Sequence, residues 1–237
     1  MRPSKIDSFS PDQEPKNSLH HDPCLLRCAL GTISELQTEV LNNSILSATN
    51  MLTVGIAMLQ GARHEHMHSV LKAAENLEIP IEIRELRKAV DIEGIDAIIL
   101  PGGESTAMKI ASRSEDLFKG LWELIRNSET PVLGTCAGAI LLAQQELITT
   151  PIVRNAFGRQ KESFQSKIRI NFDGEDEFMG VFIRAPRFTE GSNYPIAWYQ
   201  DEVVGVQEGN IMALTFHPEL TEDYRFHEWL LNKAREN

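Results

Sequence analysis

The sequence predicts a three-layer α/β/α fold, with a mostly parallel central sheet continued by an antiparallel extension. Three observations carry this. From Thr53 onward, short continuous apolar runs alternate with helical segments, the pattern of strands buried on both faces of a parallel sheet. Residues 131–145 read as a buried strand, a tight turn carrying one cysteine, and an apolar helix. Past Gln145 the texture changes to short segments of alternating polarity, which suit antiparallel strands.

With 237 residues, 42% hydrophobic and 24% charged, the chain can bury one sizeable core. A net charge of −11 without a Lys/Arg-dense stretch argues against nucleic acid or an anionic membrane as partner. No apolar run approaches the roughly 18 residues that span a bilayer. Cys24, Cys28 and Cys136 form neither a disulfide framework nor a zinc-ligand pattern, which points to a reducing, cytoplasmic setting. No metal or cofactor is expected.

Residues 1–50 are frequent in Pro, Ser, Asn and Asp, and only Leu30–Leu46 could form a marginal helix. They are expected to be an N-terminal extension outside the core, largely disordered, with the functional domain spanning 51–237. Thr53–Leu59 reads as a buried strand, Glu65–Leu77 as an amphipathic helix, Ile81–Leu86 as an alternating strand, and Ala97–Leu100 as a strand ending in Pro101-Gly102-Gly103. Strands are expected at Ser163–Ile170, Glu177–Arg184, Glu202–Gln207 and Ile211–Phe216, and a closing helix at about Glu222–Ala234.

The chemistry centres on Gly134-x-Cys136-x-Gly138. A side chain on a strained strand-to-helix turn projects clear of the sheet only if its flanking residues have little bulk. The free N–H groups that open the next helix favour the negative charge of a thiolate there. A buried structural thiol also fits a lone cysteine between glycines. Gly102 and Gly103 let backbone N–H groups face a ligand, as an oxyanion hole requires, although Pro-Gly-Gly alone is equally a tight turn. A cysteine nucleophile needs a base and an orienter, and His217-Pro218-Glu219 offers both if the segment is extended, because residues i and i+2 then point the same way. His64, His66 and His68 alternate near a helix start, a spacing that does not put metal ligands on one helical face.

Taken together, these features resemble a class I, or triad, glutamine amidotransferase. Six stretches narrow the likeness: Gln60-Gly61-Ala62 with Glu65-His66, Pro101 to Thr106, Gly134 to Gly138, Arg154 to Gln160, Gly180 to Pro186, and His217 to Thr221. From Met51 to the C-terminus the chain resembles the PdxT/SNO family, the glutaminase subunits of pyridoxal 5′-phosphate synthase. The resemblance implies a flavodoxin-like sheet and hydrolysis of L-glutamine to L-glutamate and ammonia through a γ-glutamyl thioester. It makes Cys136 the nucleophile, His217 the base and then acid, and Glu219 its orienter. Backbone N–H groups of Gly103 and Ala137 would form the oxyanion hole, and Gly103, Glu104, Ser105, Arg154, Ile183 and Arg184 would bind glutamine. It also implies a heteromeric complex with a PdxS-type synthase subunit that receives the ammonia, with Gln60 at the interface, and little activity until docking orders the oxyanion loop.

Two features depart from the family pattern: residues 1–50 have no counterpart, and the 145–154 segment is several residues short. Other triad amidotransferases usually carry C-x-G-x-Q, where this chain has Ile140. A non-catalytic relative should have lost part of the triad, and a PfpI-like peptidase would leave His217-Pro218-Glu219 and the Arg154 segment without a role.

Overall fold

A computed structural model describes residues 51–59, 61–113, 116–154, 163–189, 192 and 194–237. The expected extension 1–50 with its Leu30–Leu46 helix, Gln60, and the motif remainder 155–160 lie outside the described residues. The chain runs β1 (Leu52–Ala57), α1 (Arg63–Leu77), β2 (Ile81–Leu86), a 3-10 turn (Ala89–Ile92) and β3 (Ala97–Leu100). Next come α2 (Ser105–Ser112), α3 (Leu117–Asn127), β4 (Val132–Thr135) and α4 (Ala137–Gln144). The remaining elements are β5 (Ile152–Val153), β6 (Ser163–Asn171), β7 (Glu175–Ile183), β8 (Arg187–Phe188), β9 (Pro195–Tyr199), β10 (Glu202–Glu208), β11 (Ile211–Leu214), a 3-10 turn (Pro218–Leu220) and α5 (Arg225–Glu236).

Among the described residues, nine strands form one sheet in the order β2-β1-β3-β4-β11-β10-β9-β6-β7. The half from β2 to β11 is parallel, and every pairing from β11 outward to β7 is antiparallel. The expected parallel sheet with an antiparallel extension is therefore present. The two-residue side-chain period of a strand divides the core between the two faces. In β3, Ala97 and Ile99 pack with Val70 of α1 and Phe226 of α5, whereas Ile98 and Leu100 pack with Met108, Leu121 and Leu141 of α2, α3 and α4. Each fully buried aliphatic chain of this kind contributes about 1.5–3 kcal/mol relative to exposure. No helix among the described residues is long and apolar enough to cross a membrane.

Element ends differ from the sequence expectation for local reasons. β1 stops at Ala57 rather than Leu59, and β7 stops at Ile183 because Arg184 takes a left-handed φ of 43°. α5 begins at Arg225 rather than near Glu222, since Thr221 and Asp223 bind the intervening backbone as a turn: Thr221 Oγ1 accepts from the Asp223 N–H and Asp223 Oδ1 from the Arg225 N–H, both at 3.3 Å. Helices α2 and α3 and strand β9 were not anticipated; β9 opens on Pro195 and pairs with β10 and β6. The short 145–154 segment is held by the Glu208 carboxylate, which accepts from the Thr149 N–H at 2.7 Å and the Thr150 hydroxyl at 2.9 Å.

The turn from β4 into α4 packs backbone directly against backbone. A Cβ on Gly138 would lie 2.0 Å from the Leu100 carbonyl oxygen and 2.8 Å from its carbon, so α4 sits directly on β3. Backbone cannot yield there as a flexible side chain could. Gly138→Ala is expected to lower stability by at least about 1–3 kcal/mol, the usual range for forced overpacking; urea denaturation of wild type and variant checks it, and equal midpoints would refute the contact.

Candidate active site

The carboxyl ends of β3, β4 and β11 meet at one edge of the sheet, where ligands of open α/β folds sit. Cys136 follows β4 with φ 47° and ψ −100°, a conformation that costs a non-glycine residue on the order of 1–3 kcal/mol. Hydrogen bonds hold it there: the Cys136 N–H donates to the Leu214 carbonyl at 2.8 Å, and the Cys136 carbonyl accepts from Ile140 at 3.2 Å. Cys136 is buried and free, and α4 starts at the next residue. The expected elbow is in place.

His217 lies beyond the end of β11, with its N–H donating to the Val181 carbonyl of β7 at 2.8 Å. Its Nδ1 is 2.7 Å from Glu219 Oε1. The expectation of an extended segment is corrected here, because Pro218–Leu220 is a 3-10 turn that curls the carboxylate back under the ring. Burial opposes a charged imidazole, but hydrogen bonds from the ring to Cys136 and Glu219, with their negative charge, outweigh it and push the His217 pKa up to about 10. The ring therefore holds its proton at neutral pH, between the sulfur and the carboxylate. Burial would raise the Glu219 pKa, yet the neighbouring His66 and His217 hold it below the usual carboxylate value. Gly102 is pressed against the imidazole, where a Cβ would stand 2.3 Å from His217 Cε1.

A cleft of about 330 Å³, small for a ligand site, opens above Cys136 and His217. Its walls include every residue the sequence nominated for glutamine: Gly103, Glu104, Ser105, Arg154, Ile183 and Arg184. Ile140 and Pro186 complete it. Ala137 is the first residue of α4, so its N–H belongs to the free helix start beside Cys136. Gly103 has a positive φ of 150°. Glu104 also caps α2, its Oε1 accepting from the Thr106 N–H and its Oε2 from Ala107, each at 3.0 Å; hydrogen bonding from Thr106 comes first among the causes that hold its pKa down. The guanidinium of Arg154 reaches back to this helix, donating to Thr106 Oγ1 at 3.3 Å.

Behind Glu219 lie two histidines to which sequence reasoning assigned no role in the site, although His66 belongs to the Gln60–His66 stretch. His66 was grouped with His64 and His68, but those two are exposed while His66 is fully buried. Its Nε2 is 3.0 Å from Thr135 Oγ1 and 3.4 Å from Glu219 Oε2, and its Nδ1 is 2.9 Å from His227 Nε2. Burial pushes the pKa of both His66 and His227 down, so both rings are neutral and the contact with Glu219 is not an ion pair. Among the described residues, no group of three or more His, Cys, Asp or Glu is placed to hold a metal ion.

A family model for the SNO glutamine amidotransferase family matches residues 56–236. The chain belongs to the SNO glutamine amidotransferase family. Among similar proteins, the pyridoxal 5′-phosphate synthase subunit PdxT of Thermococcus onnurineus is 46% identical over 198 residues, covering 78% of this chain and all of that protein. The subunit of the same name from Pyrococcus horikoshii is 42% identical over 197 residues, again along its whole length. Of solved structures, one described as the crystal structure of glutamine amidotransferase superposes with a TM-score of 0.67 at 37% identity, over 76% of this chain and 98% of that one. The PurLQS structure from Thermotoga maritima, at 15% identity and a TM-score of 0.55, shares the fold alone. Within this family the three-layer architecture is thus the expected one.

The two neutral buried histidines set a pH dependence. A histidine whose folded pKa is depressed adds stability that is present above the unfolded value near 6.5 and is lost as pH falls toward the folded value, because the unfolded chain takes up the proton first. Unfolding free energy is therefore expected to fall as pH drops below 6.5. In His227→Asn the dependence should be shallower by one proton, about 1.4 kcal/mol per pH unit. Denaturant titrations from pH 7.5 to 5 check this, and identical slopes would show that His227 is not kept neutral.

Proposed function

We propose that this chain is the glutaminase subunit of a pyridoxal 5′-phosphate synthase, hydrolysing L-glutamine to L-glutamate and ammonia. The observation that carries the reading is Cys136 on its strained turn beside a His217 ring that Glu219 holds at 2.7 Å, at the base of a cleft with arginines on its rim. Residues 51–237 are assigned the reaction, with 1–50 outside the catalytic domain. The acidic chain with its unpaired cysteine pattern suits the cytoplasm.

In the proposed mechanism the Cys136 thiolate attacks the side-chain amide carbon. A C–S bond forms and the carbonyl π electrons move to oxygen, where the Gly103 and Ala137 N–H groups receive the charge. His217, already protonated, donates to the amide nitrogen; the C–N bond breaks and ammonia leaves. His217, now neutral, takes a proton from water as its oxygen attacks the thioester. Collapse breaks the C–S bond, releasing glutamate and restoring the thiolate. Glu219 keeps Nδ1 as the donor throughout, leaving Nε2 to exchange the proton. Arg154 and Arg184 are assigned to the substrate carboxylate, for which a planar guanidinium offers two parallel hydrogen bonds.

The relatives are named as subunits of a synthase, so a PdxS-type synthase subunit is the proposed recipient of the ammonia. Gln60 is proposed to meet that partner and lies outside the described residues. The test is glutamate release from L-glutamine with and without a synthase subunit. Activity should appear with the partner and fall at least about 1,000-fold in Cys136→Ala, as removal of a covalent nucleophile does. No response to the partner would defeat the synthase assignment, and an active Cys136→Ala would defeat the mechanism. Arg154→Ala should raise KM about 10- to 100-fold with a smaller change in kcat, the loss of a charge-assisted hydrogen bond; an unchanged KM would remove Arg154 from the substrate site.

A further inference from the structure

Glu219 has two carboxylate oxygens, and the His217 ring uses one of them. Oε1 takes the Nδ1 contact at 2.7 Å, while Oε2 is buried without a hydrogen bond of ordinary length among the described residues. An anionic oxygen left unpartnered in the interior is costly and leaves the carboxylate free to rotate away from His217. The polar atom facing it is His66 Nε2, at 3.4 Å.

Which nitrogen of His66 carries its proton follows from the neighbours. With the proton on Nδ1, the bare Nε2 lone pair would face the Glu219 carboxylate, and His227 would have to accept at Nε2 and bury a proton on Nδ1, which has no partner. With the proton on Nε2, His66 donates to Thr135 Oγ1 at 3.0 Å with Glu219 Oε2 3.4 Å from the same nitrogen, and Nδ1 accepts from the His227 Nε2–H. His227 is then left with a bare nitrogen at its orphaned position, which is cheaper to bury than an unpaired N–H. The second arrangement removes the repulsion.

We propose that His66 is a positioning residue for Glu219: its Nε2–H pins the carboxylate oxygen that His217 does not use, and His227 fixes the ring in that tautomer. The network joins α1, α5, the end of β4 and the 3-10 turn, so four elements converge on the orientation of one carboxylate. The groups around His66 agree with a neutral donor: the cation on His217 opposes a second positive charge, and burial outweighs the pull of Glu219 and Glu65.

The kinetic part of the test rests on the glutaminase reading, and a spectroscopic part does not. In the full chain, His66→Gln places an amide N–H near the Nε2 position, whereas His66→Asn reaches only the Nδ1 position and keeps His227 but not Glu219. With the synthase subunit present, His66→Asn should lower kcat on the order of 10- to 100-fold at unchanged KM, as misorientation of a catalytic group does, and His66→Gln should restore most of it. In parallel, proton NMR of each protein alone follows the low-field His217 Nδ1–H resonance of the Glu219 hydrogen bond. It should shift or broaden in His66→Asn and stay near the wild-type position in His66→Gln. A resonance unmoved in both variants, or a loss confined to KM, overturns the proposal. Wild type without glutaminase activity beside the partner would sink the functional reading instead, and the resonance would still decide the role of His66.

Discussion

An ionised carboxylate held out of water constrains this site more than any other group. The Glu219 side chain has no exposed surface, and an isolated charge there would cost several kcal/mol. It stays ionised because the His217 ring donates to it and bears the opposite charge, and its single charge then decides the state of its neighbours. His217, in contact with both Glu219 and Cys136, becomes the cation of the group. His66 cannot be a second one: one carboxylate does not neutralise two imidazolium ions in a dry interior, and burial prevails at His66 and again at His227. A row of three histidines therefore carries one positive charge, placed beside the sulfur.

The sheet supplies what the carboxylate cannot, which is a fixed place for the cysteine. Cys136 would relax out of its strained conformation if its surroundings allowed it. They do not, because β4 is clamped between β3 and β11, the Cys136 N–H is committed to Leu214, and Gly138 brings α4 onto Leu100. The same β11 leads into His217, so nucleophile and imidazole hang from adjacent parallel strands. Their spacing is then set by the strand separation rather than by loops.

The elbow, the Gly-Gly turn and the His-Pro-Glu segment were legible because each is a local signal: small residues around a projecting side chain, or two partners within three positions. The parallel half of the sheet was legible from its apolar runs, and the change of texture after Gln145 marked the antiparallel half. The pairing of His66 with His227 was not, since they are 161 positions apart: His66 closes the Gln60–His66 stretch without a role in the triad attached to it, and His227 reads as a helical residue with no motif around it. Only the packing of α1 against α5 makes them a pair. One signal was available: α1 alternates His64, His66 and His68, yet only His66 continues toward the buried Ser69, Val70 and Ala73 of the same helix face. The 3-10 turn under His217 was missed for another reason, because Pro218 fits both an extended reading and the first turn of a helix.

The site draws on both halves of the sheet. Gly103, Cys136 and the start of α4 at Ala137 follow strands of the parallel half, whereas Ile183 and Arg184 come from the end of β7, at the far edge of the antiparallel half. Arg154 follows β5, which pairs with β8 outside the main sheet. In the proposed reaction the amide end of glutamine thus meets the parallel half and its carboxylate end residues outside it. His217 bridges them, since its N–H is bonded to Val181 of β7 while its ring stands over Cys136 and Gly102. Any shift between the two halves must move the imidazole relative to the sulfur or break that backbone bond.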